Sequence, residues 1–160
     1  VKREINKISI HCSATKTGGV RAFDVYHREV KHWHQVGYHF VIGNGMIDGH
    51  YIKSADGNIE VGRPLSIDPA AVKGHNKGMI AICLVGDSID SFTEKQFDSL
   101  KKLIVDLCSE FNIDPFNNVL GHRDFPGVKK ECPCFDVKTF VKKYKNGEGI
   151  KVLKEIENKK

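Results

Sequence analysis

Near the end of the chain the stretch GHRDFPGVKKECPC, Gly121 to Cys134, places His122 ten positions before Cys132. Imidazole and thiolate are donors that zinc takes, but two of them cannot close its shell. Zinc needs three or four ligands, and a catalytic site keeps one position for water. Among the eight histidines, His11 is the best placed third donor, because it falls at the C-terminal end of a strand-like segment, where a rigid scaffold can hold it. His27, His32 and His34 lie on an amphipathic helical pattern, where surface or packing roles are the simpler reading. His39 alternates within a strand and reads as a hydrogen-bonded core or supporting residue, while His50 and His75 lie in glycine-rich loops. Spacing alone leaves the set His11, His122 and Cys132 open, and Cys134 competes with Cys132.

These donors need elements to position them. INKISIHCSA alternates apolar residues at Ile5, Ile8 and Ile10 and reads as a strand ending near His11. RAFDVYHREVKHWHQVG sets Phe23, Tyr26, Val30 and Trp33 at helical spacing, with Gly37 as the C-terminal stop. YHFVIG is a strand candidate, and GNGMIDGHYIKSADGNIEVG, with its Asn-Gly and Asp-Gly signals, reads as an exposed hairpin meander. MIAICLVG is a nearly continuous apolar run between Gly78 and Gly86, as in a central strand buried on both faces. SFTEKQFDSLKKLIVDLCSEFNI opens with Thr93 and Gln96 in capping-box positions and keeps Phe97, Leu100, Leu103, Ile104, Leu107 and Phe111 on one face. A loop from Asn118 to Cys134 and a short helix DVKTFVKKYK, capped by Asp136, complete the pattern.

Composition sets the outer limits. With 160 residues, 40% hydrophobic and 28% charged, one compact α/β domain with a real core is expected. No apolar run approaches the length of a bilayer span, and VKREINKISIHCSA lacks the features of a secretory signal, so the chain reads as soluble with its compartment unassigned. The net charge of +5 is spread over the surface rather than clustered. Nucleic-acid binding is therefore not expected, and only a weak attraction to anionic polymers is. Five cysteines, Cys12, Cys83, Cys108, Cys132 and Cys134, form no even disulfide framework and read as reduced thiols. The catalytic domain is expected over residues 1–145, with 146–160 a peripheral basic tail.

ISIHCSAT, VGYHFVI, MIAICLVG and GHRDFPGVKKECPCFD, in this order, resemble the zinc N-acetylmuramoyl-L-alanine amidases related to phage lysozyme amidases and peptidoglycan recognition proteins. The resemblance runs from about Ile8 to Phe140. It implies a single domain with a central mixed sheet flanked by helices, and one Zn²⁺ per chain held by His11, His122 and the Cys132 thiolate, with water as fourth ligand. The family places its ligand cysteine immediately before proline, which favours Cys132 over Cys134. The resemblance also gives catalytic roles to Tyr38 and Lys130; without it a strand tyrosine and a surface lysine would be the preferred readings.

The implied reaction is hydrolysis of the amide between N-acetylmuramic acid and the first L-alanine of the peptidoglycan stem peptide. An amide carbonyl is a poor electrophile, so polarisation by metal and stabilisation of the oxyanion are required. Lys130 would stabilise the oxyanion and Tyr38 would orient water or intermediate. One branch of the family uses a glutamate for proton transfer where this chain has Cys83, which leaves the general acid/base open. Arg63, His75, Asn76 and Lys77 lie on loops that resemble the substrate-facing side. Bacterial peptidoglycan is the expected partner and a monomer the expected state. Non-hydrolytic recognition and a regulatory role toward another protein are the alternatives.

Overall fold

The computed structural model describes residues 2–145, so the tail expected at 146–160 lies outside the described residues. Five strands form one mixed sheet: β1 (Lys7–Cys12), β2 (Phe40–Ile47), β3 (His50–Val61), β4 (Met79–Leu84) and β5 (Val119–Gly121), in the order β3-β2-β4-β1-β5. β4 pairs in parallel with β1 and β2, β5 pairs in parallel with β1, and β2 pairs antiparallel with β3. As its apolar run implies, β4 is central and every one of its six residues is buried. Four helices accompany the sheet: α1 (Val20–Glu29), α2 (Glu94–Phe111), the single turn α3 (Pro115–Asn118) and α4 (Val137–Lys145). No described helix is long and apolar enough to cross a membrane.

The alternation of the strands divides the molecule. Ile8, Ile10, Ile42, Ile80, Ile82 and Leu84 point to one face and join Phe97, Leu100, Ile104 and Leu107 of α2 and Val137, Phe140 and Val141 of α4 in the main core. Phe92, Phe97, Phe135 and Phe140 meet there mostly edge to face, with centroids 5.1 to 6.0 Å apart, an arrangement that favours aromatic pairs beyond simple burial. Ser9, His11, Ala81 and Cys83 point to the other face, where α1 and loops leave room for a site.

Helix α2 starts where Thr93 and Gln96 predict. Thr93 Oγ1 accepts the Gln96 N–H at 3.1 Å and Gln96 Oε1 accepts the Thr93 N–H at 3.0 Å. The same Gln96 amide donates to the carbonyls of Ile42 and Val85, both at 2.9 Å, so one fully buried side chain caps the helix and ties it to two strands. The β2–β3 hairpin turns at Asp48-Gly49, where both residues have positive φ (50° and 82°), as the Asp-Gly signal requires.

Two expectations change. The helix expected through Trp33 ends at Glu29, and His32 has φ 58°. Its end is set by contacts to a later stretch: Asp24 Oδ1 accepts the Val36 N–H at 2.8 Å and His27 Nδ1 accepts the Gly37 N–H at 2.9 Å, folding residues 30–37 back along α1. Gly37 is therefore not a helix stop; a side chain there would collide with the Ala70 carbonyl. The loop expected from Asn118 to Cys134 also begins with strand β5, three residues long. Three residues are too few to show a period.

His39 is wholly buried. Its Nδ1 accepts the Ala81 N–H at 3.0 Å and its Nε2–H donates to the Ile67 carbonyl at 2.8 Å, which fixes a neutral tautomer. Burial holds its pKa down at about 4, against an ordinary 6.5. Its neutral form is thus bound by the fold, so its contribution is complete above pH 6.5 and is lost as pH falls through about 4, roughly 3 kcal/mol over that window. Thermal melts of the wild type and His39→Gln between pH 7 and 4 should show a shallower acid decline for the variant. Parallel curves would remove His39 as a source of acid lability.

Candidate metal centre

The register of β1 and β5 is what brings the two histidines together. Ile8, Ser9 and Ile10 stand opposite Val119, Leu120 and Gly121, so the residues that follow, His11 and His122, come out side by side, His122 as the first residue of a short 3₁₀ turn ending at Asp124. Neighbouring strands lie about 4.8 Å apart, and the two imidazole centroids are 4.8 Å apart. Their Nδ1 atoms face each other at 3.2 Å. Asp124 braces this turn by accepting the Gly121 N–H at 2.8 Å.

Cys132 arrives from the far end of the same loop. The Arg123 N–H donates to the Cys132 carbonyl at 2.9 Å, and the Cys12 N–H donates to Cys132 Sγ at 3.2 Å. The ligand atoms of His11, His122 and Cys132 lie within 4.8 Å of one another, forming a candidate His-His-Cys metal site. The donor set fits zinc in kind and in spacing. Two nitrogens on a tetrahedral zinc at about 2.0–2.1 Å stand roughly 3.3 Å apart, close to the 3.2 Å between the Nδ1 atoms. Cys134 points away from this set: its Sγ touches Cys12 Sγ at 3.8 Å and the Asp87 carbonyl at 3.8 Å.

Electrostatics keep both rings neutral, the form in which imidazole binds metal. Burial lowers the pKa of His11 well below its usual value, with the His122 ring and the Lys130 ammonium adding to the effect. Burial followed by Lys130 does the same, less strongly, for His122. His11 is 1% exposed and its Nε2 lies 2.7 Å from Ser9 Oγ, itself fully buried. Donation of Nε2–H to that hydroxyl leaves the Nδ1 lone pair turned toward His122. Sequence reasoning missed Ser9; its place two residues before His11, on the same strand face, is the signal that points to it.

The site opens on a cleft of about 680 Å³ whose wall includes His122, Cys132, Tyr38 and Lys130. The Tyr38 ring lies 5.4 Å from that of His11, and its hydroxyl is hydrogen-bonded to the Cys83 thiol. Burial, and then the neighbouring thiols, push its pKa well above the ordinary phenol value. Cys83 is wholly buried, and burial raises its thiol pKa strongly. Lys130 is exposed on the cleft wall. The opposite wall comes from α1 and the segment after it: Phe23, Tyr26, His27 and Trp33. His27, read from sequence as a surface or packing residue, packs against both Trp33 and Tyr38, with centroids 4.6 and 5.8 Å away.

Three of the four residues expected on substrate-facing loops contact other parts of the chain. Arg63 donates to the carbonyls of Val36, Asp68 and Gln35, at 3.1, 2.9 and 3.5 Å. Asn76 Oδ1 accepts the Ala71 and Val72 N–H groups, both at 2.9 Å, and the His75 ring packs on Phe125 with centroids 5.3 Å apart. Lys77 is exposed. None of the four is among the described residues that line the cleft. Hydrogen-bonding loop residues and ligand-binding loop residues have the same composition, so sequence could not separate them.

Residues 1–135 match the family model described as N-acetylmuramoyl-L-alanine amidase. The chain is 33% identical over 155 residues to the endolysin of Klebsiella phage KP32, covering 89% of each chain, and 34% identical over 152 residues to the endolysin of Escherichia phage T7, again covering 89% of each. Its fold matches the N-acetylmuramoyl-L-alanine amidase LysC from Clostridium intestinale with a TM-score of 0.71 at 24% identity, over 91% of this chain and 87% of that one. A match to the family model over 135 residues, together with these phage relatives along nearly the whole chain, establishes that the chain belongs to the N-acetylmuramoyl-L-alanine amidase family.

Proposed function

We propose that this protein is a zinc hydrolase that cleaves the amide between N-acetylmuramic acid and L-alanine in bacterial peptidoglycan, using His11, His122 and Cys132 as ligands and Tyr38 and Lys130 in catalysis. The observation that carries the reading is the convergence of those three ligand atoms, two of them from residues that line one cleft, in a chain of the amidase family. Recognition without hydrolysis is the weaker alternative, because the complete set of three donors argues for an enzyme.

A zinc ion held by Nδ1 of His11, Nδ1 of His122 and Sγ of Cys132 would supply Lewis acidity and activate water at neutral pH. The chain's own groups do the rest. The Lys130 ammonium, at the cleft surface beside both histidines, offers positive charge where the carbonyl oxygen becomes an oxyanion. Tyr38 stays protonated across the physiological range and donates a hydrogen bond beside the His11 ring. The leaving amine must gain a proton. Cys83 cannot give one to a substrate from which it is wholly buried, so Tyr38 and Lys130, which face the cleft, carry that step.

Cys132→Ala should abolish both bound zinc and activity, whereas Cys134→Ala should retain most of each under reducing conditions. Elemental analysis, with release of new L-alanine amino termini from peptidoglycan before and after chelation, decides this. One zinc per chain with chelator-sensitive release is expected. Zinc without release would turn the reading to recognition, and absence of zinc would sink the site.

Lys130→Ala should keep its zinc and lose about a hundredfold in turnover, the scale of removing an oxyanion donor; unchanged turnover would make Lys130 an ordinary surface residue. Ser9→Ala removes the partner that orients His11, and zinc affinity should fall roughly 10- to 100-fold. Competition with a fluorescent chelator measures it. An unchanged affinity would show that packing alone orients the ring.

A further inference from the structure

The Cys-Pro-Cys segment straddles the end of β1. Cys132 joins His11 and His122, while Cys134 reaches Cys12, whose side chain belongs to the main core and also borders the cleft. Cys12 Sγ and Cys134 Sγ are 3.8 Å apart although 122 positions separate them in sequence. The backbones carrying them are already held in place. The Cys12 N–H donates to Cys132 Sγ at 3.2 Å, and the Cys134 N–H donates to the Glu131 carbonyl at 2.7 Å. Cys12 is 8% exposed and Cys134 is half-buried, so an outside reagent reaches Cys134 first.

We infer that Cys12 and Cys134 form an oxidisable pair, a reversible disulfide that ties the metal-ligand loop to the end of β1 without consuming a ligand. The sulfurs need to approach by roughly 2 Å to reach the bond length of about 2.05 Å, a movement within side-chain rotation. The oxidant is a low-molecular-weight disulfide, RSSR. Cys134 Sγ displaces one RSH to give a mixed disulfide; Cys12 Sγ then attacks Cys134 Sγ and releases the second RSH, which carries away the remaining thiol proton. Two protein thiols are oxidised and one RSSR is reduced to two RSH. In a reducing compartment both thiols stay free, and in an oxidising one the bond closes.

The other cysteines do not compete equally. Cys83 lies on the opposite face of the sheet against Tyr38, and Cys108 sits on α2 near Asp114. Cys132 is the serious rival, since its Sγ approaches the Cys12 backbone and its thiol is hydrogen-bonded to the Cys12 thiol as well. Its disfavour rests on the ligand role proposed above, because a zinc-bound thiolate is a weaker nucleophile than a free one.

The test is overnight incubation of the zinc-loaded protein with oxidised glutathione, followed by thiol titration after denaturation, peptide mapping and metal analysis. Two of the five thiols should be lost with a mass decrease of about 2 Da, the crosslink should map to Cys12 and Cys134, and zinc should stay bound. The Tm should rise by about 5 °C or more, reversibly with reductant, because the bond closes a long loop. Cys134→Ser should keep all its thiols. Five thiols remaining in the wild type, thiol loss persisting in Cys134→Ser, or a crosslink through Cys132 would each overturn the proposal. Metal content before oxidation reads the ligand assignment separately, so a failed zinc site and a failed disulfide give different results.

Discussion

Two imidazole nitrogens facing each other at 3.2 Å at the ends of adjacent strands is the constraint that organises this molecule. Lone pairs brought that close repel unless a proton or a cation lies between them, and burial makes the cation expensive unless further donors complete its shell. Everything around the pair addresses that problem. A buried hydroxyl holds the far nitrogen of His11, a backbone N–H steadies the sulfur of Cys132, and a positive side chain at the rim discourages protonation of either ring.

The fold supplies the geometry through its parallel core. β1, β2, β4 and β5 all run in one direction, so their C-terminal ends share one edge, where crossovers leave the sheet and a crevice opens. Ligand sites in sheets with parallel strands gather at such edges. His11 at the end of β1 and His122 just past the end of β5 stand side by side at that edge, and the loop after β5 needs only to double back to deliver Cys132. A rigid sheet fixes two of the three donors, and a hydrogen-bonded loop fixes the third.

Much of this was legible from the sequence wherever a local rule dominated. β4 announced itself as an unbroken apolar run, α2 by Thr93, Gln96 and its apolar stripe, and the hairpin by Asp48-Gly49. Where long-range contacts decide, local rules fail. The end of α1 depends on Asp24 and His27 capturing backbone of residues 36 and 37, and β5 exists only because β1 is there to pair with it. The same holds in the site. The three donors could be listed as candidates, but their proximity depends on a β1–β5 register spanning 111 positions, and Ser9 becomes meaningful only once His11 is seen to need a partner. Arg63 and Asn76 have the chemistry of ligand-binding residues, and their hydrogen bonds to loop backbone are visible only in the fold.

The two faces of the sheet carry unequal loads. The face under α2 and α4 holds most of the buried apolar side chains, whereas the cleft face is held by small apolar groups and by side chains that clasp backbone. Folding free energy is thereby concentrated on the side remote from the cleft. Replacements along the cleft wall, at Tyr26 or Trp33 for example, fall on half-exposed positions that contribute little to that sum. The shape of the cleft wall can thus be altered by mutation at little cost to the skeleton that aligns His11 and His122.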